Sequence, residues 1–261
     1  MSTKCVLTLL GTGTSQGVPV IGCRCPVCLS TDPRDNRLRT SAMVEIAGCR
    51  FVIDAGPDFR MQLLREGVSH ITAILLTHKH KDHIGGIDDV RALNFVDYPQ
   101  IHTVDIYATA STLDCVRKDY DYAFFTERYR GVPEIKLHAI DPEQSFNIGG
   151  VEITPIRGRH AHFEVTGYRF GDVAYLTDFK EIDNSEIEKL KGVKVLVINA
   201  LRFTPHDSHF SVSDALAVIE KVAPLRAYLT HMSHEIGLHT EAQKQLPEGV
   251  YFAYDRLKIE I

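Results

Sequence analysis

The sequence predicts an α/β (α+β) chain folded as one compact domain, and two sheets packed face to face with helices outside would bury all its apolar faces. Three observations lead there. Apolar segments of strand length come in groups, and helical patterns fall between the groups. No repeat or low-complexity linker breaks the 261 residues, so 1–261 reads as one domain. The composition, 44% hydrophobic and 24% charged, is that of a chain with a sizeable core, which excludes a disordered chain, a collagen-like fibre and a disulfide-stapled miniprotein.

The elements follow in order. Val6 to Leu10 is an apolar strand closed by Gly11-Thr12-Gly13-Thr14. A polar loop rich in Cys, Pro, Arg and Asp runs to Thr40. Ala42 to Ala47 and Arg50 to Asp54 form a hairpin through Gly48. Asp58 to Glu66 is a short helix. Ile74 to Thr77 is a buried strand, followed by a His-rich loop and a helix over Ile87 to Phe95. Val104 to Ala108 is a strand and Ser111 to Asp119 a helix. A ring-rich, irregular insertion covers about 120–133. Strands then fall at Ile135 to Ala139, Val151 to Ile156, Thr166 to Phe170, Val173 to Thr177 and Val193 to Asn199, with a helix over Ser185 to Leu190. Ser211 opens a helix with Asp214 three residues on, a capping-box pattern. Val212, Ala215, Leu216, Ile219 and Val222 form its apolar stripe. Arg226 to Thr230, Val250 to Ala253 and Leu257 to Ile261 are the last strands.

The chemistry sits in Thr77-His78-Lys79-His80-Lys81-Asp82-His83. Imidazole nitrogen and carboxylate oxygen are good ligands for Zn²⁺, Mn²⁺ or Fe²⁺. Near a strand end, His78 and His80 would project to one side because side chains alternate with period two. Asp82 and His83, past the turn, can then face a second ion, and Gly85-Gly86 lets the backbone turn tightly. Downstream, Asp178 and His231 each follow an apolar strand, which suits ligands gathered at one edge of a sandwich.

H-x-H-x-D-H after a strand resembles the signature of the metallo-β-lactamase superfamily. The resemblance implies a four-layer αββα sandwich. It also implies further ligands: His160, preferred over His162 for its spacing to Gly167-Tyr168, then Asp178 bridging two ions, and His231. One ion would take His78, His80, His160 and Asp178; the other would take Asp82, His83, Asp178 and His231.

Gly22-Cys23-Arg24-Cys25-Pro26-Val27-Cys28 is a second cluster. Three thiols so spaced hold a structural Zn²⁺ more readily than disulfides in a reducing compartment. His234 is the candidate fourth ligand, and the ion would pin the loop over about 11–40. Cys5, Cys49 and Cys115 read as small buried hydrophobes. Gly11-Thr12-Gly13-Thr14-Ser15-Gln16-Gly17-Val18-Pro19 followed by C-x-C-x-x-C is similar to the phosphodiesterase branch related to phosphoribosyl cyclic phosphate phosphodiesterase of phosphonate breakdown. That branch carries a structural zinc whose ligands map to Cys23, Cys25, Cys28 and His234.

The activity this implies is dinuclear, metal-dependent hydrolysis of a small cyclic or nucleotide-like phosphodiester, such as a ribosyl 1,2-cyclic phosphate. Two divalent ions (Mn or Zn, with Ni or Fe as other candidates) at about 3.5–4 Å would acidify a water and polarise the phosphoryl group. Asp178, Asp82 and His209 are the catalytic candidates. His209 precedes a capped helix, where it could protonate the leaving oxygen. Arg91 and Asn94 share a helix face with Asp88 and are the substrate candidates; for Arg91 a surface salt bridge is the equal alternative.

The competing readings are a tRNase Z-like ribonuclease, an ester, thioester or lactone hydrolase, a diiron redox protein and a non-catalytic metal-stabilised module. Net charge −5 and the absence of a basic run argue against steady nucleic-acid binding. Retention of His80 argues against the redox branch, and retention of all seven ligands against the inert module. The 120–133 stretch is a lid, a homodimer contact or an ordinarily packed insertion. No apolar run nears the ~20 residues of a membrane span and no secretory signal is evident, so the expected location is cytoplasmic.

Overall fold

The structure is a computed structural model that describes residues 4–125, 129 and 131–261. Residues 126–128 and 130, part of the insertion expected to be a lid, a homodimer contact or ordinary packing, lie outside the described residues.

In chain order the strands are β1 Cys5–Gly11, β2 Ser41–Ile46, β3 Cys49–Ile53, β4 Ala73–Leu75, β5 Val104–Ala108, β6 Ile135–Ala139, β7 Phe146–Ile148, β8 Val151–His160, β9 Phe163–Phe170, β10 Val173–Leu176, β11 Val195–Asn199, β12 Arg226–Thr230, β13 Val250–Phe252 and β14 Lys258–Glu260. The helices are α1 Phe59–Glu66, α2 Lys81–Ile84, α3 Val90–Asn94, α4 Ala110–Asp119, α5 Asn184–Lys189, α6 Val212–Val222 and α7 His239–Gln243.

They make two seven-stranded sheets, ordered β14-β1-β2-β3-β4-β5-β6 and β13-β12-β11-β10-β9-β8-β7. Each sheet is antiparallel through three pairings and parallel through the other three. Period-two alternation sorts β3 between two cores. Phe51 and Ile53 face the second sheet, where Phe51 meets Phe170 with ring centroids 5.5 Å apart. Val52 faces α1 to α4 with Phe59, Leu63, Ile84, Val90 and Leu113. On the far side Val212, Ala215, Ile219 and Val222 of α6 pack onto the second sheet. Four layers result, because each sheet buries both faces. This is the metallo-β-lactamase sandwich.

Ser211 caps α6 as the sequence implies: its hydroxyl accepts from Asp214 N, and the Asp214 carboxylate accepts from Ser211 N. Several local expectations change. β8 runs through His160, so that histidine ends a strand rather than following one. The helix expected over Ile87 to Phe95 is a 3-10 turn at Ile87–Asp89 followed by α3. Gly86 is needed for close approach, not for a left-handed turn: a Cβ there would lie 2.0 Å from Gly56 O, and its φ is −104°. Cys5 is buried, while Cys49 and Cys115 are only partly so.

Candidate metal centre

Parallel β-sheets deliver the residues that follow their strands to one edge, and here those residues converge. β3 leads to Asp54, β4 to the His78–His83 loop, β10 to Asp178 and β12 to His231. Asp54, Asp178 and His231 all have left-handed backbones, with φ of 64°, 62° and 58°. Non-glycine residues held there are strained, and such strain collects at functional sites.

Two groups of donor atoms form at this edge, His78 with His80 and His160, and Asp82 with His83, Asp178 and His231. Asp178 also comes together with His160 and His209, so it borders both groups. His78 and His80 do share a side, their rings 4.6 Å apart. Strand alternation is not the cause: β4 ends at Leu75, and His80 is the N-cap of α2, which carries Asp82 and His83. His160 is buried in the cluster, whereas His162 is exposed and in none of the donor groups among the described residues.

Hydrogen bonds behind the imidazoles aim their free nitrogens inward. His160 Nδ1 lies 2.7 Å from Ser208 O, which can only accept, so Nδ1 carries the proton and Nε2 a lone pair. The Thr77 hydroxyl donates to Asp54 at 2.9 Å, leaving its oxygen to accept from His78 Nδ1 at 3.0 Å. His83 Nδ1 donates to Asp54 Oδ2 at 2.7 Å. His78 Nε2, His83 Nε2 and both His231 nitrogens are buried without hydrogen-bond partners. His83 Nε2 and His231 Nε2 each approach Asp178 to 3.1 Å, but without hydrogen-bond alignment. Buried imidazole nitrogens left without partners beside carboxylates fit divalent cations, the ions this fold implies. Burial resists ionisation of Asp178, but His231 and His83 overcome it and hold the carboxyl well below the usual range.

Asp54 was not among the candidate residues in the sequence. It is fully buried, and it fixes the tautomer and direction of His83. The available signal was an aspartate directly after an apolar strand, the same signal that singles out Asp178.

His209 lies over the centre, its Nδ1 3.5 Å from Asp178 Oδ1 and its ring tilted against those of His160 and His231, with centroids 4.5 and 4.8 Å away. Burial, then the proximity of His231, pushes its pKa down to about 3. Of the substrate candidates, Arg91 is exposed and pairs with Asp88 at 3.2 Å. Asn94 does not face the centre: it is buried, its amide donating to His102 O and Glu134 O and accepting from Glu134 N. A side chain so saturated has nothing left for a substrate, which corrects the shared-face expectation.

The second cluster assembles with its fourth member. His234 Nδ1 lies 3.3, 3.4 and 3.6 Å from Sγ of Cys23, Cys25 and Cys28. Zn–S and Zn–N bond lengths at a tetrahedral angle give about 3.6 Å for such a pair. Backbone N–H groups of Val20, Cys25 and Cys28 donate to the sulfurs at 3.4–3.5 Å, which favours thiolates. The cluster fits a closed zinc site. It ties the loop to the centre, since Thr14 N and Met232 N bond across to Met232 O and Thr12 O beside His231.

A sandwich with such a centre at its edge defines the class, and comparison agrees: a model described as a beta-lactamase superfamily domain matches residues 49–232, and the chain belongs to that family. More particularly, it is similar to the crystal structure of a diphosphatase from the PhnP family, with 41% identity and a TM-score of 0.92 over 99% of this chain and 97% of that one. It is 39% identical to an octanoyltransferase of Porphyromonas gingivalis over 98% of this chain but 51% of that protein. The chain spans about half or less of the length of the curated relatives it matches. Zn²⁺-bound PqqB from Methylobacterium extorquens shares the fold, at 19% identity and a TM-score of 0.77 over 98% of this chain and all of that one. Among the described residues no helix is long and apolar enough to cross a membrane.

Proposed function

We propose that the chain is a dinuclear metal-dependent hydrolase of small phosphodiesters or disubstituted diphosphates, with a ribosyl 1,2-cyclic phosphate among the candidate substrates. The observation that carries this reading is the convergence of two donor groups on Asp178 with His209 directly above. Two divalent ions held by His78, His80, His160, Asp82, His83, Asp178 and His231 would supply Lewis acidity toward a phosphoryl oxygen and a water. Charge favours an anionic substrate: ions at +4 less two carboxylates leave +2, or +1 when Asp54 is counted. A monoanionic diester suits that field better than a neutral acyl ester. The likeness to a PhnP-family diphosphatase supports reaction at a phosphorus with two ester or anhydride bonds.

His209 is the residue we assign to the leaving oxygen. Uncharged in the free protein, it gains proton affinity when an anionic phosphate sits against it, because a neighbouring negative charge favours imidazolium. Cys23, Cys25, Cys28 and His234 would hold a structural zinc. Arg91 remains a candidate for a substrate phosphate, at the cost of its pairing with Asp88. We place the enzyme in the cytoplasm, with the whole chain 1–261 acting as one domain.

The test is turnover of bis(p-nitrophenyl) phosphate by metal-reconstituted protein, beside diadenosine diphosphate, a p-nitrophenyl monoester and an acyl ester. Asp178→Asn is the control, since asparagine tolerates the left-handed backbone at this position. Diester or diphosphate cleavage lost in the variant supports the proposal. Acyl ester cleavage alone would replace it with a lactonase or thioesterase reading.

A further inference from the structure

At the opposite end of the first sheet, before β4 and β5, a third group of ligand-type side chains comes together: His70, Asp97 and His102. His70 Nε2 and His102 Nε2 lie 2.9 and 2.8 Å from the same oxygen, Asp97 Oδ2. Their rings are 5.8 Å apart and nearly perpendicular, at 81°.

The donors stand on anchored loops. Arg50 Nη1 donates to His70 O at 2.9 Å, and the Ser69 hydroxyl is 2.9 Å from His70 Nδ1. His102 is held from both sides of its backbone: its N–H donates to Asn94 O at 2.9 Å, and its carbonyl accepts from Asn94 Nδ2 at 2.8 Å. Asn94, turned away from the metal centre, therefore fixes a histidine elsewhere. Both imidazoles and the carboxylate keep between a third and just over half of their side-chain surface exposed, so water can complete a coordination shell.

We propose that His70, Asp97 and His102 form a surface site for a six-coordinate divalent transition-metal ion that favours imidazole, such as Ni²⁺ or Co²⁺. Two imidazole nitrogens and one carboxylate oxygen occupy one face, and water the other. The spacing is compatible with this geometry, as it is with hydrogen bonds to Asp97. Bonds of about 2.1 Å meeting at a right angle put donors about 3.0 Å apart, whereas a tetrahedral angle asks for about 3.4 Å. The observed 2.8 and 2.9 Å match the right angle. Ser69 acts behind the site by accepting from His70 Nδ1, which leaves the Nε2 lone pair to the ion. The site is independent of the catalytic reading.

The alternative is a plain hydrogen-bonded trio, with both imidazoles donating to Asp97. Calorimetric titration of the zinc-loaded full chain with Ni²⁺ separates the two. The proposal expects one saturable event that weakens by roughly tenfold or more in each of His70→Ala, His102→Ala and Asp97→Asn. It also expects unchanged zinc content, circular dichroism and diester turnover in the variants. Asp97→Asn is the decisive arm, because an amide oxygen still accepts hydrogen bonds but is a poor ligand. No event up to about 1 mM Ni²⁺, or an event that survives all three substitutions, overturns the site.

Discussion

Asp54 Oδ2 accepts the Nδ1 proton of His83 at 2.7 Å, with both side chains fully buried. The same carboxylate also takes Thr77 N at 2.8 Å and its hydroxyl at 2.9 Å, so the acceptor that aims His83 is itself fixed. Asp54→Asn should keep the left-handed backbone yet lose the charge that orients His83. Metal affinity at the centre should fall about 10–100-fold, read by competition with a chromogenic chelator. Unchanged affinity would mean that His83 is held by packing alone.

His209 makes a different prediction, one about leaving groups. A p-nitrophenolate leaves without protonation, whereas a sugar alkoxide does not. His209→Gln should therefore lower kcat only slightly on bis(p-nitrophenyl) phosphate. On an alkyl or ribosyl diester it should lower kcat by about 10²–10⁴ with KM little changed. Equal losses on both substrates would make His209 a binding or positioning group.

The thiol cluster should be separable from the catalytic centre. Cys25→Ser should cost one zinc per chain by elemental analysis and open the 11–40 loop to protease. A melting temperature lowered by several degrees is expected, at roughly 2–4 °C per kcal/mol for a chain of this size. An unchanged metal count would remove the zinc assignment.

His239 gives a pH dependence away from both clusters. Burial, then the Arg37 guanidinium 3.4 Å from its Nδ1, lowers its pKa from 6.5 to about 4. The unfolded chain takes up a proton near pH 6.5 that the folded chain refuses until about pH 4. Stability is thus complete above pH 6.5 and falls as pH drops through that window, by at most about 1.4 kcal/mol per unit from this residue. His239→Gln should flatten the denaturation midpoint against pH between 6.5 and 4, relative to the parent. Parallel profiles would exclude the histidine as the cause.

Much of this molecule is legible locally. The β2–β3 hairpin, the α6 capping box of Ser211 and Asp214, and the run from His78 to His83 each depend on residues within a few positions of one another. Short spacing fixes which side chains are neighbours before any tertiary contact exists. Asp178 and His231 were readable for a related reason: each follows a strand whose apolar residues announce its end.

Asn94 shows where such reading stops. Its spacing to Arg91 is right for a shared face, but α3 packs that position inward, where Glu134 and His102 consume its amide. His70 and His102 were likewise unremarkable in the chain, because 32 residues separate them and their meeting depends on how the ends of β4 and β5 lie side by side.

The donor types, the strand-then-ligand pattern and the three-cysteine knuckle are written in the chain itself, since these are properties of residue identity and near spacing. Folding settles which nitrogen each imidazole presents and that Asp54 stands behind His83, and it puts His160, already preferred to His162 by its spacing to Gly167-Tyr168, in the centre. Those outcomes depend on burial and on hydrogen-bond partners such as Ser208 O and Thr77. Such partners arrive from distant strands only when the two sheets close on their shared core.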